Sequence, residues 1–213
     1  MTEPFYKRAA AESYAADDAT GWFERVYAAA EAGEAVVPWD HHEPAPALVS
    51  WARACGLNGA RRRALVVGCG LGDDAEFLAG LGFSVVAFDI SATAIEAARR
   101  RWPGSPVAYE QADLFAAPPE WARGFDFVLE DATVQALPES VRPRAIRAIA
   151  EFVGPGGALL AIARARRDDE PARELPPFTL LRAELESFGD FGLTVVRLDL
   201  ADELHWLGEY ARV

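Results

Sequence analysis

Between residues 63 and 163, short apolar runs alternate with segments of helical spacing. The runs are RALVV (63–67), FSVVAF (83–88), a short segment at 107–110, FDFVL (125–129) and ALLAIA (158–163). Runs that are apolar throughout predict strands buried on both faces. Residues 73–81 open with acids, as a helix N-terminus favours. Residues 91–101 form a second predicted helix, with Ser91 as N-cap and arginines at its end. A third covers 139–153, with Gly154-Pro155-Gly156-Gly157 expected to stop it. This alternation predicts a parallel sheet with helices on both faces and right-handed crossovers, a doubly wound α/β fold.

The pattern changes at both ends. Residues 22–32 and 46–55 read as helices. After a predicted helix at 180–188, the segments 194–200 and 205–213 alternate and lie close together. They predict a terminal antiparallel hairpin. Two segments, 37–46 (VPWDHHEPAP) and 166–177 (RRDDEPARELPP), are rich in proline and charge and read as loops.

Composition narrows the partners. The 213 residues carry 33 acids against 21 basic residues, a net charge of −12, and Lys7 is the only lysine. Such a chain repels phosphate backbones and anionic lipid, so neither nucleic acid nor a membrane surface is an expected partner. Two cysteines, Cys55 and Cys69, fit a reducing compartment. The first 18 residues lack the apolar core of a secretory leader, and no run is long enough to span a bilayer, so the expectation is a cytoplasmic protein, and its small size and high charge favour a monomer.

The chemistry concentrates at Gly68-Cys69-Gly70-Leu71-Gly72-Asp73-Asp74, between a predicted strand and a predicted helix. Glycines there allow a sharp turn and close approach to a ligand, with helix N–H groups facing it. Asp89, at the end of the next strand, is placed to hold ribose hydroxyls. The spacing is GxGxG, not the GxGxxG of a dinucleotide fold, and two aspartates follow. Carboxylates at that helix start repel a pyrophosphate and tolerate a cofactor carrying a sulfonium and an ammonium.

The segment LVVGCGLGDDAEFLAGLGFSVVAFDISATAIEAA resembles the cofactor half of class I S-adenosylmethionine-dependent methyltransferases. The upstream WFERVYAAAEAGEAVVPWDHHEPAPALVSW is similar to the thiopurine and thiol methyltransferase branch, with its tellurite-resistance relatives. The resemblance implies a Rossmann-like, mostly parallel seven-stranded sheet ending in an antiparallel hairpin. It implies one domain, 1–213, divided into an N-terminal helical lid at 1–60 and a cofactor-binding core at 61–213. Two departures accompany it. Val66 stands where most class I enzymes carry an acid, which the thiopurine branch also often lacks. His41-His42-Glu43 replaces a glycine step that often follows PWD.

The resemblance also assigns residues. Gly68, Cys69, Gly70 and Gly72, with Asp73 beside them, would hold the methionine part, Asp89 the ribose and Ile90 the adenine. Asp113 and Leu114 match the segment that holds the adenine edge. Glu130 matches the segment lining the methionine amine and the methyl-transfer face. Trp22, Tyr27 and Trp39 match aromatic positions that close over the cofactor, and aromatic faces suit a sulfonium. The remaining tryptophans, and the Cys69 side chain, read as packing.

Methyl transfer from a sulfonium asks the protein mainly to position and desolvate the nucleophile. A thiol needs only its thiolate, whereas oxygen or nitrogen more often needs a base. Candidate bases are Asp40, His41, His42 and Glu130. Asp40, His42, Arg164 and Arg166 are candidate substrate contacts. Adjacent histidines point apart in an extended loop and no third spaced ligand follows, so no metal is expected. The expected activity is methylation of a small molecule at a thiol or related soft atom. The alternatives are an O- or N-methyltransferase and a non-catalytic S-adenosylmethionine-binding protein.

Overall fold

The five apolar runs become neighbouring parallel strands. In a computed structural model, which describes residues 3–213, they are β1 (Arg63–Val67), β2 (Ser84–Asp89), β3 (Ala108–Gln111), β4 (Phe125–Asp131) and β5 (Val153–Arg164). The first two residues of the stretch read for a leader lie outside the described residues. The hairpin strands are β6 (Thr194–Leu200) and β7 (His205–Ala211). The sheet order is β3-β2-β1-β4-β5-β7-β6. β7 pairs antiparallel with both β5 and β6, so it alone runs against the other six strands. This is the seven-stranded, mostly parallel sheet expected from the sequence. No helix of the described residues is long and apolar enough to cross a membrane.

Among the described residues, seven α-helices accompany the sheet: α1 (Phe5–Ala15), α2 (Gly21–Glu31), α3 (Pro46–Cys55), α4 (Asp73–Gly80), α5 (Ala92–Arg101), α6 (Arg142–Phe152) and the short α7 (Arg182–Glu186). Ser91 caps α5 as predicted, its hydroxyl accepting from the Ala94 N–H at 3.0 Å. One apolar layer lies under α6 and the C-terminal elements, around Leu65, Val128, Ile146 and Tyr210. The other lies under α3, α4 and α5, around Leu48, Leu78, Ile95 and Phe127. A third cluster, Ala9, Ala10, Trp22 and Val26, joins α1 to α2.

Three local expectations change. The glycine run at 154–157 belongs to β5 instead of a loop. A Cβ on Gly157 would stand 2.8 Å from the Phe125 carbonyl, so glycine is what lets this strand approach β4 at its register shift. The helix expected from 139 opens with a 3₁₀ turn, and α6 begins at Arg142 ahead of Pro143. The helix expected over 180–188 is α7 alone, continued by a 3₁₀ segment at Ser187–Phe191.

Candidate functional site

The C-terminal ends of the parallel strands open into a cavity of about 780 Å³. This is where open α/β sheets place their ligands. Its floor is the turn from β1 into α4. Gly68 and Gly70 hold φ of 61° and 53°, a region that side chains make costly. A Cβ on Gly70 would stand 2.9 Å from the Tyr27 hydroxyl, and one on Gly68 2.4 Å from Thr133 Oγ1. The turn is therefore shaped by what crosses above it.

Asp89 closes one side. Its carboxylate accepts from the Gly70 N–H at 3.0 Å and the Ser91 N–H at 2.9 Å, and it is 6% exposed. Burial pushes its pKa up to about 6, partly offset by these backbone donors. Two donors leave lone pairs free for two hydroxyls. Ile90, Asp113 and Leu114 line the same end, and Asp113 caps the next turn by accepting from the Phe115 N–H at 2.8 Å.

The roof is the N-terminal region. Trp22, Tyr27 and Trp39 all line the cavity. The Trp39 indole N–H donates to the Tyr27 hydroxyl at 2.8 Å, and Trp39 meets Trp22 and Tyr6 edge-on. Polar ties hold this roof to the core. Glu24 of α2 accepts from the Ser91 and Thr93 hydroxyls, both at 2.6 Å. Arg101 of α5 reaches Asp40 at 2.6 Å and Asp73 at 3.0 Å. Asp74 accepts from the Ala45 N–H at 2.8 Å.

The sequence-derived candidates divide accordingly. Gly68, Cys69, Gly70, Asp73, Asp89, Ile90, Asp113 and Leu114 reach the cavity wall with the aromatic residues. So do Asp40, His41 and Arg164. The Arg101 guanidinium holds Asp40 below the usual carboxylate range, which makes Asp40 a poor base. Burial and the charge of Asp89 push the Cys69 thiol well up, as suits a packing residue.

Four candidates do not line this cavity. Gly72 lies behind the turn at φ 94°, packed against the Tyr109 hydroxyl, and serves the entry into α4. His42 is an exposed side chain whose Nε2 lies 3.6 Å from Asp40. Arg166 is buried elsewhere, 3.8 Å from Glu184. Glu130 is sealed at 0% exposure, one oxygen accepting from the Val134 N–H at 2.9 Å and the other without a partner. Burial pushes its pKa up to about 7.

Strand alternation explains Glu130. Successive side chains of β4 face opposite sides of the sheet. Val128 and Glu130 face α6, while Leu129 and Asp131 face α4 and the cavity. Asp131 is therefore the carboxyl that β4 delivers to the site, and the motif reading passed over it. It meets Asp74, and burial raises both carboxyls, Asp74 to about 6 and Asp131 well above the ordinary value. Among the described residues no group of three His, Cys, Asp or Glu could hold a metal ion, so His41-His42-Glu43 forms no such cluster.

The residues fit S-adenosylmethionine better than a dinucleotide. The glycine turn offers close backbone approach, Asp89 offers hydroxyl acceptors, and the aromatic roof offers π faces to a cation. Asp73 and Asp74 stand at the start of α4, where a pyrophosphate would have to sit.

Comparison with known proteins agrees with this geometry. Probable thiol methyltransferase 2 of Arabidopsis thaliana is 31% identical over 151 residues, 68% of this chain and 62% of the relative. Thiocyanate methyltransferase 1 of Brassica oleracea is 29% identical over 133 residues, 61% of this chain and 57% of the relative. The chain thus spans roughly three-fifths of the length of these curated relatives. A solved structure described as "Conversion of a Disulfide Bond into a Thioacetal Group during Echinomycin Biosynthesis" superposes with a TM-score of 0.71 at 26% identity. It covers 89% of this chain and 93% of its own. The family model for thiopurine S-methyltransferase (TPMT) matches residues 29–209, from the last turn of α2 into the final strand β7, and the chain belongs to that family.

Proposed function

We propose that this protein is an S-adenosylmethionine-dependent methyltransferase that methylates a small molecule at sulfur. The observation that carries the reading is the Gly68–Leu71 turn facing Asp89 beneath an aromatic roof, in a chain of this family. When bound, S-adenosylmethionine supplies an electrophilic methyl group on a sulfonium. Gly68 and Gly70 give its methionine part backbone contact. Asp89 accepts from the ribose hydroxyls. Ile90, Leu114 and Asp113 receive the adenine. Trp22, Tyr27 and Trp39 exclude water and face the cation.

The acceptor occupies the part of the cavity over β4 and β5, bounded by Asp131, Ile162, Ala163 and Arg164. The names of the thiol and thiocyanate relatives support sulfur as the accepting atom. Residues 1–60 act as the lid over the core at 61–213. The net charge of −12 supports a protein that works without nucleic acid. Two free cysteines, Cys55 and Cys69, support the cytoplasm as its place, and a monomer suits the high charge.

The test is transfer of a labelled methyl group from S-adenosylmethionine to a panel of small thiols, phenols and amines. The reading expects thioether products above all others. Products only at oxygen or nitrogen would move the assignment to those acceptors. Cofactor binding with no product from any acceptor would leave a binding protein.

A further inference from the structure

We propose that the Asp74–Asp131 carboxyl pair takes the proton released when a neutral thiol is methylated, with Asp131 the member that meets the acceptor. The proposal rests on the methyltransferase reading above and names a base for it.

The pair has the right place. Asp131 ends β4 beside Ile162 of β5, and both line the acceptor end of the cavity. Asp74 sits in the first turn of α4, where the lid residue Ala45 donates its N–H to one carboxyl oxygen at 2.8 Å. That bond anchors Asp74 and leaves its other oxygen for Asp131. Asp74 is therefore the positioning residue. Among the described residues no basic side chain meets the pair. The ionisable groups on its side of the sheet are Asp73 on α4 and the Cys69 thiol in the turn, with Arg101 beyond Asp73, and Glu130 acts on it from the opposite face of β4.

Of the other candidate bases, Asp40 is held by Arg101, Glu130 is sealed from the cavity and His42 faces solvent, which leaves His41 of the 37–46 loop as the rival on the cavity wall. The cavity also has a need for a base. Val67, Leu137, Ile162 and Ala163 give it apolar walls, which oppose ionisation of a bound thiol. Two carboxyls in contact share one proton near neutral pH and retain one negative charge. Burial raises both carboxyls from the ordinary carboxylate range towards neutrality, where a general base works best.

The step balances. A sulfur lone pair of the acceptor forms the new S–CH₃ bond. The electron pair of the broken C–S bond stays on the sulfur of S-adenosylhomocysteine. The acceptor's S–H proton passes to Asp131, turning the monoanionic pair into a neutral diacid that later gives the proton to water.

The test compares wild type with Asp131→Asn on two acceptors. 2-Mercaptoethanol must lose a proton, whereas thiocyanate is already an anion and releases none. We expect kcat/KM for 2-mercaptoethanol at pH 7 to fall by about 100-fold or more, with a much smaller change for thiocyanate. S-Adenosylhomocysteine affinity, read by calorimetry, should stay within roughly threefold. A second variant, Asp74→Asn, keeps Asp131 buried but removes the carboxyl whose shared proton stabilises the monoanion. The acid limb of the wild-type pH profile should then move to higher pH. Equal losses on both acceptors would overturn the proposal. So would an acid limb that Asp74→Asn leaves in place. A weakening of S-adenosylhomocysteine binding by more than about tenfold, with rates kept at saturating cofactor, would instead give the pair to the cofactor ammonium. Failure of the wild type to bind S-adenosylhomocysteine at all would remove the methyltransferase reading and the base together.

Discussion

Asp89→Asn separates binding from stability at the end of the cavity proposed to hold the ribose. In the fold, the Asp89 carboxylate satisfies two backbone N–H groups, those of Gly70 and Ser91. An asparagine oxygen satisfies one of them and turns its NH₂ toward the other. One buried donor without a partner costs about 1–3 kcal/mol. The substitution also removes a buried charge. Burial raises Asp89 from 3.8 to about 6, which at neutral pH costs the folded state roughly 3 kcal/mol. The two terms oppose each other, so the melting temperature should move by only a few degrees, in either direction. Binding has no such offset. Hydrogen bonds to a charged acceptor contribute about 1.5–3 kcal/mol, and losing that much weakens Kd by roughly 10–150-fold. Calorimetric titration with S-adenosylhomocysteine reads this directly, alongside a thermal melt. The wild-type Kd should also rise as pH falls below about 6, where Asp89 gains its proton, and the variant should lack that dependence. A folded Asp89→Asn protein that binds within about threefold of wild type would refute the role given to this carboxylate.

Other consequences can be checked on the same footing. Gly70→Ala places a Cβ 2.9 Å from the Tyr27 hydroxyl at φ 53°, whereas Gly104→Ala adds one at φ 78° with open space around it. Both should lose about 1–2 kcal/mol in a denaturant melt, and only Gly70→Ala should lose S-adenosylhomocysteine affinity. Arg101→Ala leaves Asp40 and Asp73 without their shared cation. Limited proteolysis should then cut the 37–46 segment faster, and the KM for S-adenosylmethionine should rise by about threefold or more, while unchanged cleavage and KM would show that the tie does not hold the roof. Burial raises Asp74 and Asp89 to about 6 and Glu130 to about 7. The fold then binds more protons than the unfolded chain in that range, so stability should fall as pH rises from about 4 to about 7. Asp40 and Glu24 are held below their ordinary values, and their contribution is lost only at more acid pH. A melting temperature higher at pH 8 than at pH 5.5 would contradict this balance.

The sequence made the parallel sheet legible because strands covered on both faces are apolar throughout, as in RALVV and ALLAIA. It made the glycine turn and Asp89 legible because few residue types can occupy a turn at φ 61° and 53°, and an acid ends the strand that follows it. α1 escaped notice because it buries Ala9, Ala10 and Ser13, small residues that leave no apolar period. The start of β5 is hidden in the sequence because Gly154 and Gly157 resemble a stop signal, whereas in the fold they permit close strand approach. Asp131 was missed although its signal was present. Reading β4 at a period of two from Leu129 puts residue 131, not 130, on the face of α4 and the cavity. The ties from Glu24, Asp40 and Asp74 to the core join residues 29 to 69 positions apart, and no local pattern announces them.

The most direct test of the account is a calorimetric titration of the wild-type protein with S-adenosylhomocysteine and, separately, with NADH. The glycine turn, Asp89 and the acids at the start of α4 predict one-to-one binding of S-adenosylhomocysteine at about micromolar Kd, near −8 kcal/mol, and no heat from NADH. Binding of NADH with no response to S-adenosylhomocysteine would contradict it.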